Sequence, residues 1–197
     1  MSHPITVREK TENGYEHFDV FSRLAKDRII MLDTDFNDYM SSLVVSQLLF
    51  LSNQSEEDIT MYINSPGGVV TSGLAIYDTM QMIPNNVKTV VIGNACSMGA
   101  YILSAGTKGM RCATPSSRIM IHRISGGAQG SMPDMEITLE EARRLNEYLH
   151  ERMAIHCGKS PNVMKKAMDR DNWMSPTEAK KFGLIDNVLE PNKNSWK

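Results

Sequence analysis

The stretch Lys88–Gly106, K-T-V-V-I-G-N-A-C-S-M-G-A-Y-I-L-S-A-G, decides the fold. Its β-branched opening, Thr89-Val90-Val91-Ile92, reads as a buried strand. Gly93-Asn94 has turn chemistry, and Ser97 then stands at the start of a small-residue helix running through Ala100, Leu103 and Ala105. A serine at a strand-to-helix turn lies beside backbone N–H groups that have no intrahelical partner, and such groups suit a developing negative charge. On these residues two roles are open to Ser97: a nucleophile, or a helix cap acting through its Oγ. The full G-x-S-x-G pattern is not met, because Ala95 occupies the position of the first glycine.

Working outward, a second unit has the same layout. Asp58–Asn64 reads as a strand, Ser65-Pro66-Gly67-Gly68 as a turn, and residues from about Thr71 to Met82 as a helix. Two such units predict an α/β fold of repeated β-turn-α build. Paired glycines let backbone N–H groups approach a ligand with no Cβ in the way. A phosphate loop is excluded, since no G-K-[ST] follows. Further upstream, Arg28–Leu32 reads as a strand and Tyr39–Ser52 as an amphipathic helix. Between them Asp33–Asp38, D-T-D-F-N-D, reads as a solvated acidic turn, because EF-hand spacing is absent. Phe18, Val20, Phe21 and Leu24 look like apolar anchors, whereas Met1–His17 is polar and is expected to be poorly ordered by itself.

Downstream, Met110–Ala113 and Arg118–Ile121 read as short strands, with His122 ending the second. A lone histidine there is more often structural than catalytic. Gly126-Gly127-Ala128-Gln129-Gly130 suits an extended backbone that another chain can approach. Ser131, with Asp134 and Pro133, opens the longest helix, about 131–157. Its stripe of Met135, Leu139, Ala142, Leu145, Leu149 and Met153 is narrow, so two placements are open: the helix projects and packs against another subunit, or it packs on its own sheet. Ser160-Pro161 and Ser175-Pro176-Thr177-Glu178 cap two further helices, the second stopping at Gly183, and Leu184–Leu189 reads as a last strand. Asp169–Asn172 is a charged turn.

Composition narrows the function. The 197 residues, 41% hydrophobic, allow one sizeable core. A net charge of −2 and an aromatic content of 7% argue against a nucleic-acid surface. Cys96, Cys112 and Cys157 form no C-x-x-C pair, so neither a disulfide scaffold nor a metal site is expected. The fifteen methionines are mostly expected to fill core gaps. No secretory signal or membrane-length apolar run is seen, which points to a cytoplasmic or organellar-matrix protein.

Taken together, Ser97-Met98-Gly99-Ala100, Arg118-Ile119-Met120-Ile121-His122 and Arg170-Asp171 resemble the blocks of the ClpP family, the proteolytic subunits of the Clp protease. So do Ser22-Arg23-Leu24, Lys26–Ile30, Tyr62–Gly68, Ala75–Gln81, Gly126–Gly130, Glu178-Ala179 and Gly183–Asp186, in order, over roughly Phe18 to Val188. The resemblance implies a ClpP/crotonase-like α/β fold with a projecting handle helix. It implies a peptidase domain over 18–190, an axial-pore segment at 1–17 and a polar tail at 191–197. It implies a serine endopeptidase with Ser97 as nucleophile, His122 as base, Asp171 as its orienting partner, and an oxyanion hole made by the N–H groups of Gly68 and Met98. Arg123, Ile124, Ser125, Gly126 and Gly127 would pair with substrate, Asp169 and Arg170 would join rings, and Leu48 and Tyr62 would lie in the groove for a partner.

The implied assembly is two stacked heptameric rings, fed with unfolded protein by a hexameric AAA+ unfoldase. That partner would supply the ATP chemistry, since this sequence has no ATP-binding loop and no cofactor or metal is implied. Where the family has Gln-Pro after the histidine, this chain has Arg123-Ile124, which adds a charge and restores a backbone N–H. That departure keeps open a non-catalytic or regulatory place in a ring mixed with a paralogous subunit. An acyl-CoA enzyme of crotonase type is the third reading.

Overall fold

The computed structural model describes residues 5–12 and 14–190. The expectations for Met1–Pro4 and for the tail 191–197 lie outside the described residues. Strands β1 (Thr6–Thr11) and β2 (Gly14–Asp19) form an antiparallel hairpin, which corrects the expectation of a poorly ordered segment up to His17. The reason is local: the Arg8 guanidinium lies 4.2 Å over the Tyr15 ring, and Arg23 reaches back to Glu9 at 3.0 Å. Helix α1 (Val20–Lys26) follows, with Asp19 accepting the Ser22 N–H as its cap. None of its residues is buried, and Phe21 is half exposed, so the apolar anchors expected there stay outside the core.

Next come β3 (Ile29–Leu32), α2 (Asp38–Gln54), β4 (Ile59–Ser65), α3 (Val70–Met82), β5 (Val87–Cys96), α4 (Met98–Ser104) and β6 (Arg111–Ala113). The chain closes with β7 (Arg118–Ile121), α5 (Met132–Cys157), α6 (Pro161–Ala167), β8 (Asn172–Met174), α7 (Pro176–Phe182) and β9 (Asn187–Val188). The main sheet runs β3-β4-β5-β6-β9 with parallel pairing throughout. Its strands are near-continuous apolar runs because helices cover the sheet: Ile30, Leu32, Ile59, Met61, Ile63 and Val91 are fully buried. Within α2 the Val44, Leu48 and Leu51 side of the helix faces this core, while Leu43 and Phe50 stay exposed.

Gly93-Asn94 does not end β5. The step from Ile63 to Ser65 on β4 matches the step from Val91 to Ala95 on β5, so two residues of β5 are extra. Gly93 takes φ +75° in this bulge, where a Cβ would meet the Asn64 amide. The bulge divides the strand. Before it β5 pairs with β6, and after it Asn94–Cys96 pair with β7. Strand β8, read from the sequence only as the edge of a charged turn, pairs antiparallel with β7.

The helix ends follow their sequence signals. Ser131, Ser160 and Ser175 each cap a helix whose first turn holds proline, and Gly158 and Gly183 end helices in the left-handed region. Helix α5 buries Leu149, His150, Met153, Ala154 and Cys157, yet nothing from Met132 to Tyr148. Its N-terminal half therefore stands off the core.

An ion pair with a buried arginine ties the last strand to the rest. The Arg111 guanidinium, 4% exposed, donates from Nε and Nη2 to both oxygens of Asp186 at 2.8 and 2.6 Å. Its Nη1 donates to the carbonyls of Ser104 and His156. These bonds hold the Asp186 carboxyl down at about 2. A depressed carboxylate stabilises the fold fully above its unfolded value of about 4, and that stabilisation is lost as pH falls through the folded value. Asp186→Ala strands Arg111 in the core, so we expect a loss of about 3–5 kcal/mol in urea unfolding at pH 7. The difference from the parent should shrink between pH 4 and pH 2.

Candidate active site

Ser97 follows directly on the bulged strand. Its N–H donates to Met120 O of β7 at 2.9 Å, and its C=O accepts the Tyr101 N–H to begin α4. It sits at φ +54°, a left-handed value that is unusual for a side chain with a Cβ. The Oγ does not cap α4. It lies 2.9 Å from His122 Nε2 instead, so of the two roles left open the cap is not the one seen. The N–H groups of Met98 and the residues after it begin α4 and lack intrahelical partners.

His122 stands one residue past the end of β7, and Asp171 one residue before β8. Ile121 pairs with Asn172, so His122 and Asp171 are the next positions along the same antiparallel register. His122 Nδ1 lies 3.2 Å from Asp171 Oδ1. With its proton on Nδ1, the imidazole donates to the carboxylate and presents Nε2 as an acceptor for the Ser97 hydroxyl. His122 is mostly covered and Asp171 is mostly exposed, at 19% and 63% of their side chains. Backbone pairing, more than Coulomb attraction, sets their distance.

The turn Ser65–Val69 packs on the other side of Ser97. Gly67 lies so close that a Cβ there would stand 2.6 Å from Ser97 Cβ and 2.9 Å from Cys96 O. Gly68 bridges Phe36, and the bonds of that bridge use Gly67 O and the Val69 N–H rather than the Gly68 N–H. Phe36 is fully buried, so Asp33–Asp38 is more than a solvated turn: its acidic ends are exposed, but its middle is part of the core.

Two depressions meet at His122. One is an apolar slot of about 60 Å³ beside Ser97, with Val70, Met98, Ile124, Leu149, Met153 and Met168 in its walls. Sequence reading expected most methionines to fill core gaps, and no local signal distinguishes a slot from a core. The other is an open groove of about 890 Å³ between Arg123–Gly127 and the α5 face at Thr138–Asn146. Ser125, Gly126 and Gly127 are exposed along it, in no regular element. The Ile124 N–H, restored where the family has proline, is already taken by Asn146 Oδ1 at 3.0 Å.

Asp169 and Arg170 are exposed on the turn before Asp171, and Arg123 reaches Asp169 at 3.5 Å. Tyr62 is half-buried on β4. Leu48 is fully buried under α2, so it lines no surface groove; its neighbours Leu49 and Phe50 are the exposed ones. Burial pushes the Cys96 thiol up, and all three cysteines are free and buried. Among the described residues no helix is long and apolar enough to cross a membrane.

Fold and site together define a mixed α/β protein with a serine, a histidine and an aspartate in one hydrogen-bonded line at a strand-to-helix turn. The chain belongs to the Clp protease family, whose family model, described as Clp protease, matches residues 11–192. It is a peptidase of the ClpP type.

The contact between Gly67 and Ser97 sets a test of the turn. Gly67 has φ +98° and no room for a methyl group. Gly67→Ala should cost about 2 kcal/mol or more, read as a lower midpoint in thermal unfolding.

Proposed function

We propose that this chain is a serine endopeptidase that cuts unfolded polypeptides, with Ser97 as nucleophile, His122 as general base and acid, and Asp171 as the group that orients the imidazole. The observation that carries this reading is the line from Ser97 Oγ to His122 Nε2 at 2.9 Å and from Nδ1 to Asp171 at 3.2 Å. His122 takes the Oγ proton as oxygen attacks the scissile carbonyl, and gives it to the leaving amine as the tetrahedral intermediate collapses. The Gly68 and Met98 N–H groups receive the oxyanion. Water then attacks the acyl-enzyme by the same route in reverse, with His122 again as base.

The slot beside Ser97 takes an apolar side chain of the substrate, and the segment Ser125–Gly127 pairs with its backbone. Strand-like pairing of this kind is largely indifferent to side chains. The assembly belongs to the same proposal: two stacked heptameric rings, a hexameric AAA+ unfoldase that spends the ATP, and a cytoplasmic setting. The exposed Met132, Ile137 and Leu139 on α5 support contacts with further copies, as do Leu49 and Phe50 for an unfoldase's apolar loops. Asp169 and Arg170, exposed on their turn, support contacts between rings.

A fluorophosphonate probe tests the reading directly. It should label Ser97 in the purified protein, and Ser97→Ala or His122→Ala should cut peptidase turnover by about 10³-fold or more while native mass is unchanged. Turnover that persists in Ser97→Ala would sink the proposal.

A further inference from the structure

The segment Asp33–Asp38 touches neither Ser97 nor His122 in any hydrogen bond, yet it is tied three times to the turn that faces Ser97. The Phe36 N–H donates to Gly67 O at 2.9 Å, and the Val69 N–H donates to Phe36 O at 2.8 Å. The Ser65 hydroxyl donates to Thr34 O at 2.5 Å and accepts the Gly67 N–H at 3.2 Å. Farther out, Ser72 Oγ donates to Asp38 Oδ1 at 2.8 Å, and Ser41 Oγ donates to Ser72 O at 2.7 Å. The Phe36 ring, fully buried, anchors the segment in the core.

A trans peptide points its C=O and its N–H in opposite directions. Because Gly67 O is fixed on Phe36, the N–H of the same peptide plane, that of Gly68, must point away from Phe36. Gly67 itself packs against Ser97, so the plane lies beside the nucleophile. Rotation of this plane would break the bond from Phe36 to Gly67 O and aim a carbonyl where the N–H had been. Neither glycine has a side chain to resist that rotation.

We propose that Asp33–Asp38 is a strap that fixes the Gly67–Gly68 peptide plane for catalysis, with Ser65 and Asp38 as its positioning residues. The proposal rests on the Gly68 N–H being an oxyanion donor. The strap acts only on charge that develops during reaction, so loosening it lowers kcat and leaves KM nearly alone.

The test compares a peptide ester with its thionoester, in which sulfur replaces the carbonyl oxygen and fits a rigid donor pair poorly. The full-length protein should prefer the oxygen ester strongly. In Ser65→Ala, kcat for the ester should fall about tenfold or more, part of the 10²–10³ that follows loss of a whole donor, with KM within about twofold. The oxygen-to-sulfur rate ratio should fall with it. Asp38→Ala, at an exposed position that folding tolerates, should move both quantities the same way by about two- to threefold, and it decides the matter if Ser65→Ala does not fold.

Unchanged kcat and ratio in the folded variants would overturn the strap. So would a fall in kcat at constant ratio, which marks a merely structural role. A ratio near one in the parent protein would instead refute Gly68 as the donor, and the strap with it.

Discussion

The site depends on one irregularity in the central strand. Two extra residues in β5 between Val91 and Ala95 lie between the part of the strand that pairs with β6 and the part that pairs with β7. The irregularity falls where β5 exchanges one neighbour for the other, and His122 at the tip of β7 then stands beside Ser97. The bulge is supported on both sides. Asn64 Oδ1 accepts the Asn94 N–H, and Asn94 Nδ2 donates to Ser65 O, so polar groups freed by the irregularity find partners. Gly93 supplies the backbone angle that a side chain there would resist. The strained Ser97 follows four residues later, where the surrounding ladder leaves it no other conformation.

Charge is used in two different ways in the molecule. Arg111 is buried and Asp186 mostly so, the pair is bidentate, and it joins β6, β9 and the ends of α4 and α5. The pairs near the site are exposed. Arg123–Asp169 and His122–Asp171 have carboxylates 63% exposed, and such pairs contribute at most about 1 kcal/mol. They cannot hold two chain segments together. The β7–β8 ladder does that, and the charged side chains then meet because their positions continue its register. The arrangement places Asp171 beside the imidazole by backbone geometry.

Much of this was legible in the sequence where a residue's effect is local. Ser131, Ser160 and Ser175 followed by proline give helix starts, and Gly158 and Gly183 give helix stops, because capping acts within one turn. The family blocks pointed to Ser97, His122 and Asp171, which the structure brings into one hydrogen-bonded line, whereas spacing by itself left Ser97 divided between two roles. What failed was non-local. Gly93-Asn94 has the same chemistry in a bulge as in a turn, and only the partner strand decides between them. Three residues of β8 are too few for any periodicity. The β1–β2 hairpin is held by a cross-strand cation–ring contact and by ion pairs to α1 that a polar composition does not reveal. Leu48 and Leu49 are adjacent on one helix, and which of them faces the core depends on how α2 lies on the sheet. Phe36 hid among aspartates.

Helix α5 brings these strands of argument together. Its Ser131 cap contributes about 1 kcal/mol and its exposed Arg144–Glu140 pair a few tenths, while its N-terminal half buries no residue. A half-helix that is so little packed does not contribute much to the core, but it forms one wall of the groove beside His122. Asn146, on the same face, holds the Ile124 N–H. Any contact that shifts or steadies α5 therefore moves the segment that begins two residues after the histidine. Ser97, His122 and Asp171 stand at the ends of sheet strands, whereas the surface beside them leans on an element whose apolar stripe is exposed. The Ser97–His122–Asp171 line is thus set by strand pairing, while the adjoining segment rests on a lightly packed helix.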